Sequence, residues 1–178
     1  MQVLVSRVML ATTLLLFATS SLAQAADVAF ARTTIDLGTL VSNIERSVKF
    51  YTEVIGFKEA PGFSVDASLT KDAGLDDQPL KIHVLVLGDG PTATKLKMME
   101  VPGVDTKKGD PTMIHSQFGY RYISIFVVDL NASLERLTKA GIKPLGKGPV
   151  PIPGPGGLQL AVVRDPDGNL IELIGPKK

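Results

Sequence analysis

The chain has 178 residues, no cysteine and a formal net charge of +1 at pH 7. Without cysteine, disulfides, thiol nucleophiles and thiolate metal sites are excluded, so burial of a core must stabilise the fold. The small net charge and short lysine pairs, such as Lys177-Lys178, argue against nucleic acid or an acidic membrane surface as a partner.

The first 25 residues have the pattern of a secretory signal peptide. Arg7 is followed by an apolar stretch from Val8 to Ala18 and by small residues ending in Ala23-Gln24-Ala25. The apolar stretch is short for a membrane span, although an uncleaved anchor is the alternative. We therefore predict an exported protein, periplasmic or secreted, that leaves the membrane when the leader is removed. Residues 26–33 would then be the mature N-terminal segment, and 34–178 one domain.

Residues 35–57 and 120–142 repeat one pattern. In each copy an apolar run ends at a helix-capping residue, Asn43 or Asp129, and an amphipathic helical pattern follows that stops at a glycine. The sequence therefore predicts a duplicated unit that begins with a strand and a helix.

Apolar runs typical of strands follow each predicted helix, at residues 80–87, 95–101, 158–163 and 169–174. The last two are joined by Asp165-Pro166-Asp167-Gly168, which suits a tight hairpin turn. Each half is thus predicted to contain a strand, a helix and two or three further strands. We expect the long polar segments 61–79 and 102–119 to be loops, and loops of this length often form the lid or rim of a binding site.

The doubled pattern and the segments VSNIERSVKFYTEVIGF and DPDGNLIEL resemble the vicinal oxygen chelate superfamily, which contains glyoxalases, bleomycin-resistance proteins and extradiol dioxygenases. The resemblance covers residues 34–176. It implies an α+β fold of two tandem βαβββ modules, residues 34–103 and 119–176, whose curved mixed sheets surround a cavity. In many members it also implies a divalent metal there, held by four ligands from the first and last strands of both modules.

Alignment of the two copies places these four ligand positions at Asp36, Met98, Tyr122 and Glu172. A thioether and a neutral phenol are poor ligands for the usual divalent metals, so we predict an incomplete metal site and favour no cofactor. Glu100 lies two residues after Met98 and is expected on the same strand face. If a divalent metal such as Mg²⁺, Mn²⁺ or Zn²⁺ does bind, we expect Asp36, Glu100 and Glu172 to hold it.

The two histidines give weaker signals. His115 lies in the polar segment before the second module, where it is either a substrate contact or an exposed loop residue. His83 lies in a predicted strand, and an isolated strand histidine is more often a satisfied side chain than a ligand or base.

Two functions remain open. The one we favour is binding of a small organic molecule, with contacts from Asp36, Met98, Glu100, Tyr122, Glu172 and His115. The other is a lyase or isomerase of the glyoxalase type, with or without a divalent metal, in which Asp36 or Glu172 is the catalytic base. Alternatively, these acids only satisfy hydrogen-bond donors inside the fold. Exposed sheet edges would permit a homodimer.

Overall fold

The computed structural model of the chain describes residues 29–177. The predicted signal peptide lies outside the described residues, so export of the chain stays a prediction. Of the described residues, 32–177 form one compact unit. Within residues 29–177, no helix has the length and apolar character needed to cross a membrane.

The first module contains four strands and two short α-helices. Its elements are β1 (Asp36–Leu40), α1 (Ile44–Lys49), a π-helical segment (Phe50–Ile55), β2 (Lys58–Val65), α2 (Ala67–Asp72), β3 (Leu80–Leu87) and β4 (Thr94–Met99). The sheet order is β1-β4-β3-β2, with β1 parallel to β4. The expectation of a loop at residues 61–79 is wrong, because most of β2 and all of α2 lie in this segment.

The second module repeats this order. Its elements are β5 (Tyr122–Phe126), α3 (Leu130–Lys139), β6 (Val150–Pro151), β7 (Leu158–Arg164) and β8 (Leu170–Pro176). The sheet order is β5-β8-β7-β6, with β5 parallel to β8. The predicted α+β fold with two curved mixed sheets is therefore confirmed, and the sheets are not closed into a barrel.

The predicted helix caps are present in both copies. The side chains of Asn43 and Asp129 accept hydrogen bonds from Arg46 N at 2.8 Å and from Ala132 N at 3.1 Å. The π-helical segment ends at Gly56, whose φ of 106° is in the left-handed region that favours glycine. Local sequence thus fixes where each helix begins and where the first one ends.

One hydrophobic core lies between the helices and one face of each sheet. Alternate strand residues point into it, including Leu96 and Met98 of β4, and Ile171 and Leu173 of β8. Because side chains alternate along a strand, the residues between them point away from the helices. We call this second side of both sheets the far face.

The far face carries several polar residues of the candidate functional site. By the same alternation, Asp36 of β1 and Lys97 of β4 share it in the first sheet, and Tyr122 of β5 and Glu172 of β8 share it in the second. A smaller apolar cluster, centred on Leu80, Ile82 and Val84 and including the half-buried Met99, covers other parts of the first sheet's far face.

The hairpin turn Asp165-Pro166-Asp167-Gly168 connects the second module to the first. Tyr51 of the π-helical segment donates a buried hydrogen bond to Asp165 Oδ2 at 3.0 Å. Burial and the neighbouring Asp165 raise the pKa of Tyr51 far above its usual value, so its hydroxyl stays protonated as a donor. Ser42 and Arg46, at the start of the first helix, contact the Asp167 carboxylate. The motif that carried the family resemblance therefore holds the two modules together.

Candidate functional site

A cavity of about 210 Å³ lies between the first strands of the two modules. Leu37, Gly38 and Leu96 line it from the first module. The second module contributes the segment 120–123 and Leu170. Strands β1 and β5 are each the outermost strand of their sheets, so the cavity occupies the gap between two sheet edges.

Strand register decides which residues of the two modules are equivalent. In the parallel pair β1 and β4, Gly38 lies opposite Lys97, and in the pair β5 and β8, Ser124 lies opposite Glu172. Since Asp36 and Tyr122 begin their strands two residues earlier, Lys97 is the first-module equivalent of Glu172. The sequence alignment that put Met98 at this position was wrong by one residue.

Met98 and Glu100 lie away from the far face. The Met98 side chain is completely buried in the core beneath the helices. The Glu100 carboxylate accepts a hydrogen bond from Ile44 N at 3.1 Å and so caps the start of the first helix. The expected set of Asp36, Glu100 and Glu172 is therefore not brought together.

Asp36 is held by two cations. Its Oδ2 atom lies 2.8 Å from Arg32 Nη2 and 3.0 Å from Lys97 Nζ, and its side chain is 13% exposed. Hydrogen bonds from Arg32 and then Lys97 lower the pKa of Asp36 to about 2, so the carboxylate is charged at neutral pH. The other oxygen, Oδ1, is buried and has no hydrogen-bond partner among the described residues.

These residues do not fit a divalent metal. The four equivalent positions hold Asp36, Lys97, Tyr122 and Glu172, and the Lys97 ammonium would repel a cation placed beside Asp36. Among residues 29–177, no group of three or more histidine, aspartate or glutamate side chains is arranged to hold a metal ion. Instead, these four positions provide the Lys97 ammonium in the first module and the Glu172 carboxylate in the second.

Glu172 has a different environment from Asp36. Its Oε2 atom accepts a hydrogen bond from Ser124 Oγ at 2.5 Å, and no ion pair to it is present in the part of the chain described. Tyr122 is half exposed, begins the neighbouring strand and lines the cavity. Glu172 is thus the more available of the two predicted acids for proton transfer or for accepting a ligand hydrogen bond.

Two arginines fix the segment between the modules. Arg121 donates to the carbonyls of Asp110 and Ile114 at 2.9 and 3.0 Å, and Arg164 donates to the carbonyl of Pro111 at 2.6 Å. His115 is exposed within this segment and does not line the cavity, whereas Arg121 does.

Sequence reasoning missed Lys97, Ser124 and Arg121. The alternation Lys95-Leu96-Lys97-Met98 contains a signal for Lys97, since it puts the lysines on the face opposite the apolar residues. Ser124 and Arg121 are recognisable only from their distant partners in the fold.

Comparison with known proteins identifies relatives of this chain. A model of the Glyoxalase/Bleomycin resistance protein/Dioxygenase superfamily matches residues 35–173. A probable lactoylglutathione lyase from Vibrio cholerae is 29% identical over 139 residues, which cover 78% of this chain and 86% of that protein.

Solved structures show the same fold. A glyoxalase family protein from Bacillus cereus has a TM-score of 0.67 and 21% identity, covering 87% of this chain and 100% of its own. A glyoxalase I variant from Zea mays has a TM-score of 0.60 and 23% identity, covering 82% of this chain and 46% of its own.

Proposed function

We propose that this chain, which belongs to the glyoxalase, bleomycin resistance protein and dioxygenase superfamily, binds a small organic molecule between β1 and β5 without a divalent metal. The observation that carries the proposal is the ion pair between Lys97 and Asp36. In this pair, Lys97 occupies one of the four positions at which the resemblance to the superfamily implies metal ligands.

The lining of the cavity supports small-molecule binding. Apolar side chains such as Leu37, Leu96 and Leu170 form much of its wall, and Tyr122 and Arg121 add polar groups. Binding sites for small molecules commonly combine an apolar wall with a few polar groups that orient the ligand. Because such pockets usually measure about 300 to 1,000 Å³, a cavity of about 210 Å³ favours a small ligand.

A fragment screen by ligand-observed NMR, with and without EDTA, tests this proposal. A bound fragment should lose affinity by about tenfold or more in Gly38→Val, which narrows the cavity. A Cβ atom at Gly38 would meet only Met99 Cε at 3.7 Å, so the strand tolerates the change. Ser64→Val on the exposed strand β2 at the opposite edge of the same sheet is the matched control. Binding that requires added metal, or that is unaffected by Gly38→Val, would count against the proposal.

The second candidate is a lyase or isomerase of the glyoxalase type. The likeness to a probable lactoylglutathione lyase favours it, as does the Ser124–Glu172 hydrogen bond, which positions a carboxylate that can act as a base. In this reaction Glu172 would remove a proton next to a carbonyl group, and Tyr122 would donate a hydrogen bond to the developing oxyanion.

Turnover of a thiohemiacetal substrate separates the two candidates. For the enzyme, Glu172→Gln should abolish product formation and leave the urea unfolding curve unchanged. Glu135→Gln, on the exposed surface of α3, is the matched control. Absence of turnover in the wild-type protein, together with fragment binding, would leave binding as the function. In either case we propose that the protein acts after export.

A further inference from the structure

We infer that the ligand is a small aromatic carboxylate, whose carboxylate group pairs with Lys97 and whose ring packs against Tyr122. This inference rests on the proposed binding function and names the chemical class of its ligand.

The first argument is the charge on the far face of the first sheet. Arg32, Lys95 and Lys97 surround a single acid, Asp36: two of them contact it directly, and Lys95 lies opposite it in the strand register. This cluster therefore has a net positive charge. A negative ligand would be attracted to it, whereas a cation would be repelled.

The Lys97 ammonium can accept an additional anionic partner. It has three N–H donors, and its contact with Asp36 Oδ2 uses one of them. Its side chain is 36% exposed, so the remaining donors can be reached. Arg32 also contacts Asp36, which means that Asp36 keeps a cationic partner when Lys97 turns toward a ligand.

The position of Lys97 connects this charge to the cavity. Its register partner Gly38 lies on the same far face and lines the cavity, and Tyr122 lines the cavity from the far face of the second sheet. A ligand at the far-face side of the cavity therefore lies about one strand spacing from Lys97.

The second argument is the aromatic character of the opposite wall. Tyr122 and Phe126 lie four residues apart on the far face of β5, and Tyr120 lies two residues before Tyr122, just ahead of the strand. Tyr120 and Phe126 are strongly exposed, at 101% and 73%, and Tyr122 is half exposed, at 50%. Tyr120 and Tyr122 line the cavity. An aromatic ring packed against them would bury apolar surface and gain offset or edge contacts.

Three probes separate these two arguments, and isothermal titration calorimetry measures their affinities. Benzoate and benzamide have nearly the same shape but differ in charge, whereas benzoate and acetate share the charge but differ in the ring. We expect benzoate to bind about tenfold more tightly than benzamide, because it adds one charged hydrogen bond. We expect a similar difference from acetate, because benzoate also buries a ring.

Lysine variants test the role of Lys97 directly. Lys97→Met should weaken benzoate binding by about tenfold and leave benzamide binding unchanged. Lys97→Gln keeps a polar side chain, so it provides the same test if the methionine variant folds poorly. Lys58→Met is the matched control, because Lys58 forms a comparable pair with Asp89 at 2.6 Å on the exposed strand β2.

Equal affinities for benzoate and benzamide, unchanged benzoate binding in both Lys97 variants, or no benzoate binding at all would overturn the inference. Equal affinities for benzoate and acetate would also overturn it, because the ring would then contribute nothing. Neutral fragments that still bind and are blocked by Gly38→Val would leave the proposed binding function standing. Failure of every fragment to bind would remove both proposals.

Discussion

Lys97 holds in β4 the register position that Glu172 holds in β8, and its ammonium nitrogen lies 3.0 Å from the Asp36 carboxylate. The two modules therefore differ in charge at equivalent positions. In the first module the Asp36 carboxylate is neutralised by cations from the same chain, and in the second the Glu172 carboxylate accepts a hydrogen bond from the Ser124 hydroxyl. This asymmetry favours recognition of an organic ligand over coordination of a metal.

The Asp36 ion pairs predict a specific loss of stability in acid. They lower the folded-state pKa of Asp36 from 3.8 to about 2. Because the folded pKa is depressed, the stabilisation is fully present above about pH 4 and is lost as the pH falls through about 2. Urea unfolding across this range should show a smaller fall in the free energy of unfolding for Asp36→Asn than for the wild type.

Asp89→Asn provides the control for this measurement, since Asp89 forms an exposed pair with Lys58. Its unfolding free energy should follow the wild-type pH dependence. An Asp36→Asn variant that loses as much stability as the wild type over the same range would show that the two cations do not stabilise the folded carboxylate.

The hydrogen bond between Tyr51 and Asp165 should contribute strongly to the stability of the fold. Tyr51→Phe leaves the buried Asp165 without one of its donors, so we expect a loss of about 1 to 3 kcal/mol in unfolding free energy. Tyr120→Phe removes the same hydroxyl from a fully exposed ring and should change stability by less than about 0.5 kcal/mol. Equal effects of the two variants in urea unfolding would contradict this role.

Met98 should behave as a core residue and not as a ligand contact. Its side chain is fully buried, so Met98→Ala should destabilise the protein by about 2 to 5 kcal/mol through the cavity that it leaves. Met113→Ala, at a side chain that is 58% exposed, is the control and should have little effect. A stable Met98→Ala protein with weakened ligand binding would instead place Met98 at the site.

Much of the fold is predictable from local patterns. The duplicated helix caps at Asn43 and Asp129 act within one turn of the chain, so the residues themselves indicate where the helices begin. The hairpin turn before β8 is equally local. The hydrogen bond between this turn and Tyr51 is not local, because it joins residues more than one hundred positions apart.

The site was harder to predict because it depends on strand register. Met98 and Met99 are adjacent apolar residues, so the end of β4 alone does not show which of the two points into the core, and a shift of one residue exchanges the faces of the sheet. The pairing of Gly38 with Lys97 decides between them. Glu100 likewise caps the first helix through a contact with Ile44, 56 residues earlier in the chain.

The metal content of the purified protein tests the central claim most directly. The protein would be equilibrated with Mn²⁺, Zn²⁺ or Mg²⁺, desalted and measured by inductively coupled plasma mass spectrometry, with thermal unfolding recorded before and after EDTA. We predict far less than one metal ion per chain and an unchanged melting temperature, because Lys97 supplies the positive charge beside Asp36. One ion per chain, lost together with thermal stability on addition of EDTA, would contradict the account.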